Sequence, residues 1–402
     1  MMKIVTTAGQ LRAGLATVLP VVERWMRAPI LTGVLLDGAS VTGTDLDVEV
    51  RAAFATAEAS GRAVVPARLL SRLLLAFDAD EVLTLSRAEG AVAVTLDHAR
   101  GRVVLPGFEP AYWPELPFTP EGAPVTAGEG FAQAIARCLP YVCREETRFY
   151  LQNVLIEGGL AVATDGHRLA AEPCGLRGEG ALSSVLLPMG AAGRVARLAG
   201  PVTVTAGALQ RARFEGGGVR VTAKLCEATY PNWRRVVPSG EPALRMTLDV
   251  AATLRALRRA SALLGDGPRS VRLVMSRSVV VIEARVSDGT ALEEVVAGAR
   301  VETNGGTGDA VVLEVDGRYF AQLLRNWAGA SEVVIEKGDF VVAGQRPNFK
   351  GGAAAGAPLV LRGEPDADGL ARMALLMPMR LDTPPSDYAM RLLARCGELV
   401  AA

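Results

Sequence analysis

Histidine is almost absent from this 402-residue chain, which has only His98 and His167. The five cysteines, Cys138, Cys143, Cys174, Cys226 and Cys396, are odd in number and lack metal-type spacing, so neither a zinc site nor a disulfide framework is expected. Cys138 and Cys143 read as buried thiols. No apolar run approaches the ~20 residues that a membrane-spanning helix needs. Met1-Met2-Lys3-Ile4-Val5-Thr6 leads into polar sequence without the apolar core of a signal peptide. There is no nucleophile motif, no phosphate-cradling glycine loop and no metal cluster, so neither catalysis nor a cofactor is expected. The 43 basic residues are balanced by 43 acidic ones, which excludes a uniformly basic coat for nucleic acid. These absences point to a protein of a reducing cytoplasm, away from membranes.

What is present is a repeat. Half of the chain is hydrophobic and its length exceeds one ordinary domain, so two or three cores are expected. Apolar spacings of three and four predict helices over residues 8–24 (kinked or ended early by Pro20), 67–77, 131–144, 188–198, 251–264 and 317–327. Between them lie short strands and hairpins. One hairpin runs along 151–156, turns at Glu157-Gly158-Gly159 and returns over 160–163 into Thr164-Asp165-Gly166-His167-Arg168-Leu169. Thr44-Asp45 and Thr164-Asp165, Pro66 and Pro188, and Pro114 and Pro231 recur at nearly one offset, the mark of an internal repeat. A looser third copy has strands near 244–248, 271–275, 278–284, 311–315, 333–336 and 340–343, with Glu283-Ala284 where the others have Thr-Asp. Its last strand is expected at 375–381. Gly-rich insertions at 304–308 and 351–356 read as surface loops. The boundaries fall near 122 and 241, giving domains 1–122, 123–241 and 242–381 and a tail, 382–402.

The charge is not evenly spread. The predicted helices carry Arg12, Arg68, Arg72, Arg137, Arg144, Arg194, Arg197, Arg255, Arg258, Arg259, Arg318 and Arg325, with Arg24 and Arg27 just past the first. Asp and Glu are missing from the stretches between 8 and 22 and from all five later ones. A solvated helix mixes both signs. Helices of one sign suit a polyanion, and arginine without an aromatic platform suits phosphate contacts without base readout. Arg148-Phe149-Tyr150 adds one place for a sugar or unpaired base. The plainer alternative is an arginine-rich composition in which the acids are missing by chance. Asp165 and His167 likewise allow two readings. One is an acid–base pair of a hydrolase; the other is Asp165 capping its own loop and His167 satisfying a backbone carbonyl.

Several motifs together resemble the bacterial DNA sliding clamp family, the beta subunit of DNA polymerase III, over residues 2–381. They are Val41-Thr42-Gly43-Thr44-Asp45-Leu46, residues 147–151, Ala163-Thr164-Asp165-Gly166-His167-Arg168-Leu169, residues 230–238 from Tyr230-Pro231-Asn232-Trp233, and Met377-Pro378-Met379-Arg380-Leu381. The resemblance implies an α+β chain of three tandem clamp-fold copies, with helices inside and antiparallel sheets outside, paired head to tail as a dimeric ring. It implies a processivity factor without catalysis or cofactor, encircling duplex DNA and tethering the polymerase III catalytic subunit, the clamp loader and other clamp-binding proteins. A peptide pocket would be walled by Leu151, Thr164, Gly166, His167, Arg168, Leu169, Pro231, Arg235, Val236, Tyr319, Leu376, Met377, Pro378, Met379 and Arg380. DNA contacts would fall on Arg24, Arg27, Arg148, Phe149 and Tyr150. The helix arginines Arg68, Arg72, Arg137, Arg144, Arg194 and Arg197 would join them. Residues 102–105, with Leu105, would meet Leu263 and Leu264 of a second copy. The hairpin's two ends would then serve different partners, Arg148-Phe149-Tyr150 the DNA and residues 164–169 the peptides.

The chain departs from that family in a third domain of greater length, in Asn153 where glycine is usual, and in the tail. These departures favour a divergent secondary clamp with a restricted partner set as the alternative. In the tail, Pro384-Pro385 and the cap Ser386-Asp387 precede an amphipathic helix with Tyr388, Leu392, Leu393, Cys396 and Leu399. Three fates are open to this helix, covering the pocket, docking elsewhere or staying disordered, and partial cover of the pocket is the one hypothesised.

Overall fold

Two prolines set the lengths of two helices. In the computed structural model, α1 (Ala8–Val18) is capped by the Thr7 hydroxyl, which accepts from the Gln10 amide. It gives way to a 3₁₀ turn, Leu19–Val21, because Pro20 has no N–H to continue the ladder. α2 is Ala67–Leu74, and α3 (Phe131–Cys138) ends in the same way, in a 3₁₀ turn over Leu139–Tyr141 that contains Pro140. The helices expected over 8–24 and 131–144 are thus shorter, each stopped at a Leu-Pro step. α4 (Met189–Val195) is also shorter than expected. α5 (Val250–Leu264) is capped by Asp249 and stops at Gly265, whose φ of 56° is open to glycine at little cost. α6 (Gly317–Arg325) is capped by Asp316, and α7 (Ser386–Ala401) lies in the tail. The structure describes residues 1–24, 28–128, 130–177, 179–265, 269–303, 311–338, 341–342, 356–379 and 386–401. The expected loops at 304–308 and 351–355 lie outside these.

The chain gathers into two compact units. The first comprises Met1–Leu139, Gln152–Ala161 and Cys174–Ala228, and the second Pro140–Leu151, Val162–Pro173 and Thr229–Ala402. In the first, a five-stranded antiparallel sheet has Met2–Thr7 between Glu58–Ser60 and Val82–Arg87, followed by Val94–His98 and, at the edge, Gly101–Leu105. An eight-stranded sheet joins two runs of four where Val219–Lys224 pairs with Val48–Ala53. α1 packs on α2, and α3 on α4. Strands such as Met2–Thr7 alternate buried and half-buried side chains, so one face meets the core and the other meets water.

In the second unit, Arg168–Pro173 pairs with Ala371–Leu376, and the sheet continues through Leu359–Pro365, Glu332–Lys337 and Leu244–Asp249 to Arg300–Thr303. A five-stranded sheet runs from the edge strand Ala291–Val296 through Val280–Arg285, Ser270–Met275 and Val311–Asp316 to Val341–Val342. Its inner face, with Leu273, Ile282 and Leu313, packs in the core that α5 and α6 share. Its outer face is apolar as well, and α7 covers it: Ala389, Leu392, Leu393 and Cys396 bury against Val274, Val279, Val281 and Val312. The tail helix therefore sits on a sheet and not over the pocket, its apolar side buried against these valines.

Candidate docking pocket

Function-bearing side chains meet at the exit of the Asn153–Glu157/Leu160–Thr164 hairpin. The loop that follows is built by Asp165. Its Oδ1 accepts from the His167 amide at 2.9 Å and the Arg168 amide at 3.0 Å, and its Oδ2 from Arg168 Nε at 2.9 Å. Thr164 Oγ1 donates to the Arg168 carbonyl at 2.7 Å and accepts from the Gly166 amide. Gly166 sits at φ 89°, in the left-handed region. Asp165 is thus committed to its own turn, the structural reading of the two posed by the sequence.

Arg168 is the hub. Its Nη2 donates to the Pro140 carbonyl at 2.7 Å, and its guanidinium lies 4.0 Å from the Tyr319 ring centre and 5.1 Å from that of Tyr141. His167 stacks on Tyr319 with centroids 6.4 Å apart, an aromatic contact in place of the carbonyl contact expected of it. Burial, and secondarily the Asp165 carboxylate, raise the Tyr319 phenol above its ordinary value.

Above this layer lies a cavity of about 190 Å³, lined by Leu151, Thr164, Gly166, His167, Arg168, Leu169, Pro231, Val236 and Met377, together with Asn232, Trp233 and Leu375. Tyr319 lies behind its wall. Leu376 turns the other way, into the core, since neighbouring strand residues face opposite sides; the wall takes Leu375 instead. Arg235 is exposed, Pro378 half-buried, and Met379 exposed with its amide held by the Glu314 carbonyl. Arg380 lies outside the described residues. Strand alternation was the signal for Leu375. The Pro231-Asn232-Trp233 motif carried Asn232 and Trp233.

α1 to α6 contain no Asp or Glu. Arg68, Arg72, Arg144 and Arg197 are exposed, as is Arg24; Arg27 lies outside the described residues. Arg137 is half-buried. Arg194 donates to the Pro20 carbonyl at 2.6 Å, and burial first, then neighbouring Arg197, lower its pKa. Phe149, 58% exposed, meets Tyr150 edge-on. Arg148 turns back to the pocket loop, its Nη1 donating to the Asp165 carbonyl at 3.3 Å. The hairpin's two ends are therefore in contact through Arg148. Leu105 is buried in its own unit and Leu264 in its own core, with Leu263 half-buried. The five cysteines are free thiols; Cys138 and Cys143 are buried, and burial pushes the Cys174 thiol up to about 11.

A carbon-lined cavity beside a rigid turn, on a sheet scaffold whose acid-free helices carry arginine, has the form of a docking site. Comparison with known proteins makes this specific. The family described as DNA polymerase III beta subunit, N-terminal domain, matches residues 2–117. The beta sliding clamp of Pseudomonas aeruginosa is 31% identical over 308 residues, covering 71% of this chain and 80% of that protein. That of Caulobacter vibrioides is 29% identical over 324 residues, covering 73% and 84%. The crystal structure of the Pseudomonas aeruginosa DNA polymerase III subunit beta superposes with a TM-score of 0.77 at 26% identity, covering 94% of this chain and all of that one. The chain belongs to the beta sliding clamp family, whose members are non-catalytic subunits of DNA polymerase III.

Proposed function

We propose that two copies of this chain close head to tail into a ring around duplex DNA and tether polymerase and other replication proteins through the pocket. Each copy contributes three clamp-fold domains, 1–122, 123–241 and 242–381. The observation that carries the reading is the absence of any carboxylate from six helices that all carry arginine, exposed on α2, α5 and α6. Many weak, salt-screened phosphate contacts let a ring slide while its topology holds it. The DNA contacts fall to Arg24, Arg68, Arg72, Arg137, Arg144 and Arg197, with Arg148, Arg194, Phe149 and Tyr150 beside them; Arg27, expected among them, lies outside the described residues. The pocket takes a short extended peptide from the polymerase III catalytic subunit, the clamp loader and related proteins, and its Met377 thioether adapts to several sequences. The ring closes between two open strand edges, Gly101–Leu105 with Arg102 and Ala291–Val296 with Glu293 and Glu294, near Leu263. Their charged side chains are already paired within the chain, Arg102 with Asp97, Glu293 with Arg395 and Glu294 with Arg259, so backbone pairing of the two open edges carries the closure. Five free thiols suit a reducing cytoplasm.

The test is solution mass together with retention on DNA. A particle of twice 42.1 kDa, retained on circular DNA after loading and released when the circle is cut, is expected. A stable monomer refutes the ring. The greater length of the third domain and its added tail favour a divergent clamp with a restricted partner set as the second reading. Binding of only some clamp-binding peptides would separate it from the first.

A further inference from the structure

The edge strand Ala291–Val296 has an electrostatic fault that the sheet corrects in part and the tail completes. Glu293 lies directly opposite Glu283 in the antiparallel ladder, and Glu283 is almost fully buried. Like charges placed opposite each other in a sheet destabilise the pairing, and a buried carboxylate needs counter-charge. Within the sheet, Arg272 and Arg285 serve Glu283, and Arg285 lies 3.6 Å from Glu293. α7 supplies the rest. The Tyr388 hydroxyl donates to Glu283 and lies 3.2 Å from Glu293 Oε1, and it accepts from Arg285; Arg395, two turns along the same face, pairs with Glu293. On the other face of the same strand, Glu294 is paired with Arg259 of α5.

We propose that α7 is a built-in brace for the edge at which a second copy docks. Its apolar side seals the outer face of the sheet, and Tyr388 with Arg395 compensates the opposed Glu283–Glu293 pair. The strand then stays paired with Val280–Arg285 while its free backbone edge remains presentable. The partner's strand is Gly101–Leu105, whose own backbone edge is open. This occupant rests on the dimer reading above; the bracing of the strand does not.

The test compares the full chain with three variants: one lacking 386–402, one carrying Tyr388→Phe with Arg395→Ser, and that double variant with Glu293→Gln added. Deletion uncovers Val274, Val279, Val281 and Val312, so the double variant, which keeps the apolar seal, is the decisive one. Amide hydrogen exchange across Ala291–Val296 is expected to accelerate about tenfold or more in the double variant, and the dimer dissociation constant to rise by a similar factor. Glu293→Gln removes the opposed charge and should restore most of both. Unchanged exchange in the double variant, or no recovery with Glu293→Gln, overturns the brace. If the full chain is itself monomeric, the dimer reading falls and exchange at this strand alone decides the brace.

Discussion

Replacing Arg168 with methionine tests whether the pocket's shape depends on one side chain. The change removes two charge-assisted hydrogen bonds, to Asp165 Oδ2 and to the Pro140 carbonyl, and two ring contacts, to Tyr319 and Tyr141. Each such bond contributes about 1.5–3 kcal/mol net, and each ring contact ~0.5–1 kcal/mol. The four share one guanidinium and do not add, so a loss of roughly 3 kcal/mol in the second unit is expected. Only 13% of the Arg168 side chain and 12% of that of Asp165 is exposed, so solvent screens the pair little. Asp165 would keep its two backbone donors and stay in its turn, while Tyr319 and Tyr141 would lose the cation they pack around. Arg168→Lys keeps the charge but not the planar fork, and should cost about half as much. The assay is urea unfolding followed by fluorescence and by exchange at the His167 and Arg168 amides, with binding of a clamp-binding peptide measured in parallel. A double-mutant cycle with Asp165→Asn should return a coupling of about 1–2 kcal/mol. Loss of less than ~0.5 kcal/mol with unchanged peptide affinity would refute the hub assignment, since surface ion pairs contribute that little.

Three further outcomes are expected. Gly166→Ala places a Cβ at φ 89°, 3.1 Å from Arg148 Nη1. The arginine can yield but the backbone cannot, so unfolding should show a cost of about 1–2 kcal/mol and peptide affinity should fall. Arg68→Ser with Arg72→Ser should weaken DNA retention alike on every sequence and lower the slope of log affinity against log salt by about 2, checked by titration in graded salt. Burial, and then the Glu283 carboxylate, raise the Tyr388 phenol above its ordinary value of 10.0. Because its docked pKa exceeds the undocked one, its contribution to docking is complete below about pH 10 and is lost as pH rises through the docked value. Limited proteolysis of the tail across that range should show release of α7, and Tyr388→Phe should remove the pH dependence.

Much of the scaffold was legible because it rests on local rules. Pro20 marks a helix end as expected, whereas the helix expected to run to 144 stops at Pro140 by the same rule. The charge pattern of α1 to α6 needed no coordinates. The destination of α7 was harder to read. Its apolar face, Leu392, Leu393 and Cys396, was visible, yet its partner lies on strands distant in sequence. The signal was there in Val271–Met275 and Val279–Ile282, which are apolar at almost every position. Such runs mean a sheet buried on both faces, so something must cover the outer one. The Glu283–Glu293 opposition was hidden for a different reason, since it depends on ladder register, which turn chemistry and packing fix together. Leu375 and Leu376 show the same limit on a smaller scale: a one-residue phase decides which lines the cavity and which fills the core.

The pocket itself is best understood against a second loop that has the same backbone. At residues 44–48, Thr44 Oγ1 donates to the Val48 carbonyl and accepts from the Leu46 amide, while Asp45 Oδ1 accepts from the Asp47 and Val48 amides. These are the bonds of Thr164 and Asp165, one for one. Even the next contact recurs: the Lys224 amide donates to the Asp47 carbonyl at 2.9 Å, as the Met377 amide does to that of His167 at 2.8 Å. The side chains differ. Asp47 and Lys224 form an ion pair at 2.7 Å, whereas His167 and Met377 offer a ring and a thioether. Leu46 occupies at φ 77° the left-handed position that Gly166 fills at less cost. A charged pair holds its own water and resists an apolar guest, while carbon surface at the same place gains by being covered. One turn, used twice, becomes a docking wall only where the sequence has taken the charge away.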